Sequence, residues 1–177
     1  FRSLSACLSM HAEVKLPAIF SDGMVMQQQT NANLWGTATP NKKVTVTTGW
    51  NGKQYAVTAD KNGSWKLSVS TPEAGGPYTI TFDDGTPKTL NNILIGELWL
   101  CSGQSNMEMP MKGFKNQPVE NANMDILRSK NPHIRLFTVK RTSTITPQND
   151  VVGSWKEAAP VSVRDFSATA YYFEIGR

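Results

Sequence analysis

The stretch from Ile93 to Met111 reads ILIGELWLCSGQSNMEMPM, and it decides how the rest of the chain is interpreted. Its first part, Ile93 to Cys101, is almost entirely apolar, which is typical of a strand covered on both faces. The run ends in a small polar cluster, Ser102 to Asn106, which predicts a tight turn. In an α/β fold, a serine on such a turn after a buried strand has the place of a nucleophile. Ser105 is therefore the first candidate for a catalytic residue.

The composition is that of an ordinary globular protein. Of the 177 residues, 39% are hydrophobic and 18% are charged, which argues against disorder. No apolar run reaches the ~18–20 residues that a membrane helix needs. The net charge is +4, but the lysines and arginines form no basic stripe with interleaved aromatics, so we expect no nucleic-acid partner. No spacing of Cys, His and carboxylate residues favours a metal site, and no cofactor is expected.

Residues 1–12, FRSLSACLSMHA, indicate an exported protein. Arg2 is followed by small and apolar residues up to Ala12, as in the remnant of a signal peptide. The segment Leu4-Ser5-Ala6-Cys7 also resembles a bacterial lipobox, which would make Cys7 a lipidated anchor. A cut after Ala12 would instead give a periplasmic or secreted protein. Both versions stay open.

Residues 13–92 predict an antiparallel β-sandwich. Apolar and polar residues alternate in four segments, as in strands with one face on a core. Turn signals stand at Asn51-Gly52, Asn62-Gly63, Gly75-Gly76-Pro77 and Asp84-Gly85. Short strands separated by such turns are typical of a sandwich. The inward positions are predicted to be Val44/Val46/Thr48, Tyr55/Val57/Ala59, Trp65/Leu67/Val69 and Tyr78/Ile80/Phe82.

Residues 93–177 predict the beginning of an α/β domain. After the serine turn, the pattern predicts a helix over about Val119 to Ser129 and a strand over Ile134 to Val139. A last helix, capped by Ser167, carries apolar residues at i, i+3, i+4 and i+7. The order strand–helix–strand–helix begins such a domain without completing it. The four apolar positions of the last helix are Ala168, Tyr171, Tyr172 and Ile175.

An incomplete domain has consequences for its apolar surface. We expect Ile93–Leu100 and the Tyr171/Tyr172 face to be exposed unless more chain covers them, and such surface promotes association. Cys101, at the end of the predicted strand, is expected to be a small inert core residue. Trp99 and Trp155 have two interpretations, stacking on a sugar or burial in the core.

The chemistry of Ser105 depends on its surroundings. A serine hydroxyl needs a base that takes its proton, and its tetrahedral intermediate needs oriented N–H donors. A turn after a strand supplies part of this, but on spacing alone a polar turn that only closes a strand is the more frequent case. The segment Gly103–Met107 does not match the G-x-S-x-G elbow, because Met107 replaces the last glycine.

The stretch Gly96–Glu108, GELWLCSGQSNME, closely resembles the nucleophile block of the sialate O-acetylesterase family, carbohydrate esterases with an SGNH-hydrolase fold. The resemblance implies that Ser105 is the nucleophile and that its own backbone N–H joins the oxyanion hole. It also implies a mixed fold, an antiparallel β-sandwich followed by the beginning of an α/β SGNH-hydrolase-like domain. Further segments carry the resemblance: Leu16-Pro17, Phe20–Gln27, Leu34-Trp35-Gly36, Ala74–Tyr78 and Phe166–Phe173.

The rest of the family's catalytic machinery is not found in the chain. The resemblance implies that a glycine and an asparagine of the oxyanion hole, and an Asp and a His that activate the serine, would follow Arg177. The histidines of this chain are His11 and His133, and a Ser105–His133 pair competes with a simple loop histidine at position 133. Three neighbours of Ser105 are near-site candidates: Gln104, Asn106 and Glu108.

Two functions follow. The first is a serine esterase that removes acetyl groups from sialic acids or other acetylated sugars through an acyl-enzyme. The second is a truncated, non-catalytic fragment that acts as a carbohydrate-binding or partner-interaction module. Self-association, or a second chain that completes the α/β domain, is a further expectation.

Overall fold

The computed structural model describes residues 13–176, so the expected signal remnant with Cys7 and His11 lies outside the described residues. None of the helices in the described part is long and apolar enough to cross a membrane. In chain order the elements are β1 (Val25–Gln27), β2 (Asn31–Thr37), β3 (Lys43–Thr48), β4 (Gln54–Thr58), β5 (Ser64–Ser70), β6 (Gly75–Asp83), β7 (Lys88–Gly96), α1 (Ser105–Glu108), α2 (Ala122–Leu127), β8 (Asn131–Phe137), β9 (Trp155–Ala158), α3 (Pro160–Val163) and α4 (Ala168–Ile175).

The first seven strands form two sheets around one core. A five-stranded sheet has the order β1-β7-β6-β3-β4, and β2 pairs with β5 in a second, two-stranded sheet. All of these pairs are antiparallel except β1 with β7, which is parallel. Several residues that the alternation predicts to face inward lie in this core with no exposed surface, among them Val44, Val46, Ile80 and Phe82. The expected mixed fold is confirmed, and the described residues form mostly strands with few helices.

Three of the four turn signals lie between strands, at Asn51-Gly52, Asn62-Gly63 and Asp84-Gly85, and the fourth lies within a strand. The β3–β4 hairpin closes at Asn51-Gly52, where the Asn51 side chain accepts hydrogen bonds from the hydroxyl of Thr48 and the N–H of Lys53. The turn expected at Gly75-Gly76-Pro77 lies instead within β6. Gly76 has φ 123°, and a Cβ there would lie 2.7 Å from the carbonyl oxygen of Ile93. The glycines therefore allow an irregular strand to approach β7 closely rather than reverse the chain.

The predicted strand from Ile93 to Cys101 needs correction. β7 ends at Gly96, and three of its buried residues, Leu90, Ile93 and Ile95, belong to the first core. Residues 97–104 form no strand, and Cys101 is exposed rather than a core residue. A strand covered on both faces requires neighbouring strands, and no described strand pairs with residues 97–104. The division into residues 13–92 and 93–177 stays a prediction, and β7 crosses its boundary.

The second half of the described chain has a core of its own. β8 and β9 form an antiparallel pair, and α2, α3 and α4 contribute to the same cluster. α2 is shorter than the helix expected over Val119 to Ser129, whereas α4 has the expected place and the expected cap, because the Ser167 hydroxyl accepts a hydrogen bond from the Ala170 N–H. The buried members of this core are Met111, Ala122, Leu136, Ala158, Val163, Ala168 and Tyr171.

The Tyr171/Tyr172 face was expected to be exposed, and this is wrong. Tyr171 is 4% exposed and lies in the second core. The Tyr172 ring packs against that core, and its hydroxyl lies 2.7 Å from a carboxylate oxygen of Asp125. Short elements of this chain, α2 among them, cover the Tyr171/Tyr172 face, which the sequence pattern predicted to be exposed. The exposed large side chains of α4 are instead Phe173 and Ile175.

Trp155 connects the first core to the β8–β9 pair. Its indole Nε1–H donates to the carbonyl of Ile19 at 2.8 Å, and its ring packs against the first core and against Phe137 of β8. Of the two interpretations of Trp155, burial against the core is the one that the structure supports.

Candidate active site

Ser105 is the first residue of α1 and is exposed. The carbonyl of Gln104, the residue before it, accepts a hydrogen bond from the N–H of Met107 at 2.9 Å, which closes the turn. The first N–H groups of a helix have no partner within the helix. Within residues 13–176, the N–H groups of Ser105 and Asn106 have no hydrogen-bond acceptor. The Ser105 hydroxyl therefore stands beside two backbone donors that are available to an oxyanion.

Two glutamines hold the start of the segment that leads to Ser105. The carboxylate of Glu97 accepts hydrogen bonds from the side-chain amides of Gln27, at 3.1 Å, and Gln28, at 2.7 Å. The amide oxygen of Gln27 in turn accepts from the N–H of Leu98 at 2.9 Å. Glu97 is thus held by Gln27 and Gln28 at an exposed edge.

The other end of the segment is held by α4. The Thr169 hydroxyl donates to the carbonyl of Asn106 at 3.0 Å, and the N–H of Ala168 donates to the carbonyl of Met109 at 2.8 Å. Met111 follows with a fully buried side chain in the second core. Ser105 thus lies between two anchors, one on β1 and its loop and the other on α4.

Gly103 allows the turn to close tightly. A Cβ at this position would lie 2.6 Å from Cγ of Met107. Real side chains do not approach that closely, so a larger residue at position 103 would require the Met107 side chain to move.

The three near-site candidates surround Ser105 along the chain, but their contacts point elsewhere. Glu108 forms an ion pair with Arg141 at 2.7 Å, and both side chains are largely exposed. The Gln104 side chain makes no capping hydrogen bond. Asn106 contributes its carbonyl to the contact with Thr169. Their part in catalysis stays a prediction.

The described residues provide no base for Ser105. No hydrogen bond joins its hydroxyl to a histidine or to a carboxylate between residues 13 and 176. His133, the in-chain alternative, is exposed in β8, and its backbone N–H donates to the Asn131 side chain at 2.9 Å. No group of three or more His, Cys, Asp and Glu in the described range is placed to hold a metal ion.

An exposed apolar strip lies just before the serine turn. It consists of Leu98, Trp99 and Leu100, together with Phe173 of α4, and Leu100 is 92% exposed. Trp99 packs edge to face on Phe173, with ring centroids 5.2 Å apart. The expected exposure of Ile93–Leu100 is therefore right for residues 98–100 and wrong for residues 93–95, which are buried.

Sequence reasoning missed the residues that hold the segment, Gln27 and Thr169. Both lie in segments that carry the family resemblance, Phe20–Gln27 and Phe166–Phe173. The family resemblance therefore includes both residues, but only the fold shows that these segments contact the two ends of the serine turn.

No family model matches the chain, but individual proteins are similar to it. The sialate O-acetylesterase of Mus musculus is 33% identical over 127 residues, which is 66% of this chain and 23% of that protein. The human sialate O-acetylesterase is 28% identical over 148 residues, or 78% of this chain and 28% of that protein.

The crystal structure of a carbohydrate acetylesterase from Xanthomonas citri superposes on this chain with a TM-score of 0.84 and 30% sequence identity. The match covers 93% of this chain and 37% of that one. The chain thus spans about a quarter of the length of the curated relatives, between 23% and 28%. The resemblance read from the sequence is confirmed, since sialate O-acetylesterases are homologues of this protein over most of its length.

Proposed function

We propose that the chain carries the nucleophile segment of a carbohydrate O-acetylesterase, with Ser105 as the nucleophile. The observation that carries the proposal is the position of Ser105. It is exposed, it opens a short helix, and it lies between two anchors in a chain whose homologues are sialate O-acetylesterases. The substrate is an acetyl ester on a sialic acid or another sugar.

The reaction uses few groups of this chain. The Ser105 oxygen attacks the acetyl carbonyl while its proton passes to a base, and the oxyanion accepts hydrogen bonds from the N–H groups of Ser105 and Asn106. The tetrahedral intermediate collapses, the sugar hydroxyl leaves with a proton, and an acetyl-serine remains. Water then attacks the acetyl-serine, and acetate leaves. The base comes from outside residues 13–176.

The proposal also covers the domains of the chain. The two sheets around the first core form a β-sandwich, and the segment after β7 begins an SGNH-hydrolase-like α/β domain. The exposed apolar strip beside Ser105 supports an incomplete domain, because a complete one would cover it. Self-association or a second chain is the corresponding expectation for partners, and residues 1–12 form an export signal.

Acetate release from acetylated sugars tests the nucleophile. Because the chain matches 37% of the Xanthomonas citri enzyme, a chimera in which this chain replaces the matching segment supplies the remaining residues. Ser105→Ala should lower kcat/KM at least about a thousandfold. Ser102→Ala, an exposed serine in the same segment, should change it little. An active chimera that is unaffected by Ser105→Ala would show that Ser105 is not the nucleophile.

A second candidate function is a carbohydrate-binding module without activity. The absence of a base beside Ser105 in the described residues favours it. This chain would then bind sugars while both the chain and the chimera release no acetate.

A further inference from the structure

A groove lies at one end of the β2–β5 sheet, and none of the residues that form the Ser105 segment lines it. Its volume is about 710 Å³, within the range of roughly 300–1,000 Å³ that ligand pockets occupy. The walls come from residues 15–17, from the paired ends of β2 and β5, and from residues 149–150. Two of the lining segments, Leu16-Pro17 and Trp35-Gly36, also belong to the family resemblance, but no step of the proposed reaction uses them.

Trp35 gives the groove a fixed aromatic wall. The half-buried indole donates from Nε1 to the carbonyl of Asn149 at 3.0 Å. It also packs edge to face on Phe20, with ring centroids 4.5 Å apart and an angle of 75° between the planes. Because both contacts fix the ring in advance, a ligand that stacks on it need not order it. The C–H face of a pyranose ring fits such a surface, since it is apolar while the hydroxyls of the sugar lie around its rim.

Trp65 provides an unused donor next to this wall. The side chain is 4% exposed, and among the described residues its Nε1–H has no hydrogen-bond partner. A Cβ on Gly36 would lie 3.1 Å from Cζ2 of Trp65, so the indole lies directly against the glycine backbone that lines the groove. A buried N–H without an acceptor is unfavourable. A hydroxyl oxygen of a ligand in the groove is an acceptor that would satisfy it.

The charges of the groove favour a neutral ligand. Lys15 and Lys66 add two positive charges to the lining, and Asp60 and Asp150 add two negative ones. In the described part of the chain neither lysine forms an ion pair. Each carboxylate has one oxygen that accepts hydrogen bonds from backbone N–H groups, which fixes its position. Donors and acceptors in equal number suit hydroxyl groups, which act as both, whereas a lining whose charges sum to zero offers an anionic sugar no net attraction.

We propose that this groove is a second saccharide site, which binds a neutral, unacetylated stretch of a glycan chain. Trp35 stacks on a sugar ring, and the Trp65 N–H donates to a sugar oxygen. The proposal does not depend on the activity of Ser105, because the ligand carries no acetyl ester.

Isothermal titration of this chain with cellohexaose, xylohexaose and mannohexaose tests the proposal, with trigalacturonic acid as the anionic counterpart. At least one neutral hexaose should bind, and trigalacturonic acid should bind more weakly. Trp35→Ala should weaken the binding at least roughly tenfold. If no neutral hexaose binds, or if the anionic sugar binds more tightly, the proposal is overturned.

Trp50→Ala is the matched control. Trp50 is also half-buried, its Nε1–H also donates to a backbone carbonyl, that of Ser70 at 3.1 Å, and its ring also packs edge to face, on Tyr78. It lies outside the groove lining. The saccharide affinity should stay unchanged in Trp50→Ala, and an equal loss in both variants would contradict a site at Trp35.

The unmodified chain gives an independent readout if Trp35→Ala fails to fold. The chain has 5 tryptophans, and their indole N–H signals are resolved in a ¹H–¹⁵N spectrum. Titration with the hexaose should shift the signals of Trp35 and Trp65, with Trp65 moving downfield as it gains an acceptor. Shifts confined to Trp99, beside Ser105, would place the sugar at the serine turn and overturn the proposal.

Discussion

Arg135 of β8 donates from Nη2 to the side-chain oxygen of Asn92 on β7 at 3.0 Å, and this contact connects the two strands. Nη1 of the same guanidinium donates to the carbonyl of Gly23 and Nε to that of Pro132, and the Glu157 carboxylate lies 3.3 Å from Nη2. Only 3% of the Arg135 side chain is exposed. Asn92 has φ 59°, a left-handed conformation that asparagine tolerates better than most residues. A desolvated charge with several fixed partners therefore determines how β8 lies against β7.

Replacing Arg135 with methionine should destabilise the chain by about 2–3 kcal/mol, because the carbonyls of Gly23 and Pro132 lose a charged donor and Glu157 loses its partner. Arg141→Met is the control. That arginine forms an exposed pair with Glu108, with 87% of its side chain accessible, so its loss should cost less than about 1 kcal/mol. Urea unfolding measures both free energies. Equal losses in the two variants would mean that the Arg135 cluster does not hold β8 against β7.

Tyr172 makes the stability of the second core depend on alkaline pH. Burial, and then the hydrogen bond to Asp125, raises the pKa of Tyr172 from 10.0 to about 12. Since the folded pKa is above the unfolded one, the contribution to stability is complete below pH 10 and is lost as the pH rises towards 12. Tyr172→Phe should cost about 1 kcal/mol at neutral pH. The difference between the two proteins in urea unfolding should then shrink between pH 10 and 12, and a constant difference would contradict this assignment.

The β-strand half of the fold could be predicted well because its determinants are local. The alternation at Val44 and Val46 and the Asn51-Gly52 signal each specify a strand or turn from neighbouring residues. Gly75 to Pro77 misled the prediction, because the same residues that form turns also allow an irregular strand to approach its neighbour. The covering of Tyr171 by short elements depends on contacts between residues distant in the sequence, which no periodicity reveals.

The residues of the candidate site could be predicted from the sequence, but their positions in the fold could not. The block around Ser105 was recognised from its residues, but an apolar run such as Ile93 to Cys101 does not reveal where one strand ends. β7 uses the first part of the run to complete the first core, and the second part has no strand to pair with. The tethers from Gln27 and Thr169 join residues that lie more than sixty positions apart in the sequence, so only the fold could show them.

The exposed apolar strip at Leu98, Trp99, Leu100 and Phe173 should cause this chain to self-associate. Leu100→Lys should lower the association, with no loss of stability, because that side chain is 92% exposed. Ile145→Lys is the matched control, since Ile145 is fully exposed outside the strip. Analytical ultracentrifugation over a range of concentrations measures both effects. A chain that stays monomeric throughout, or an equal response to the two substitutions, would show that the strip is not an association surface.

Thr169 should act as a positioning residue for Ser105. Thr169→Val keeps the shape of the side chain and removes the hydrogen bond to the carbonyl of Asn106. Because small displacements of a nucleophile slow the chemical step strongly, kcat of the chimera should fall by about tenfold or more while KM stays close to its original value. Thr169 is exposed, so the free energy of unfolding should change by no more than about 1 kcal/mol. Thr144→Val removes an equally exposed hydroxyl, one that bonds only within its own loop, and should leave kcat unchanged. A Thr169→Val variant that raises KM alone, or that loses stability in proportion to its activity, would assign Thr169 a role in binding or in folding instead.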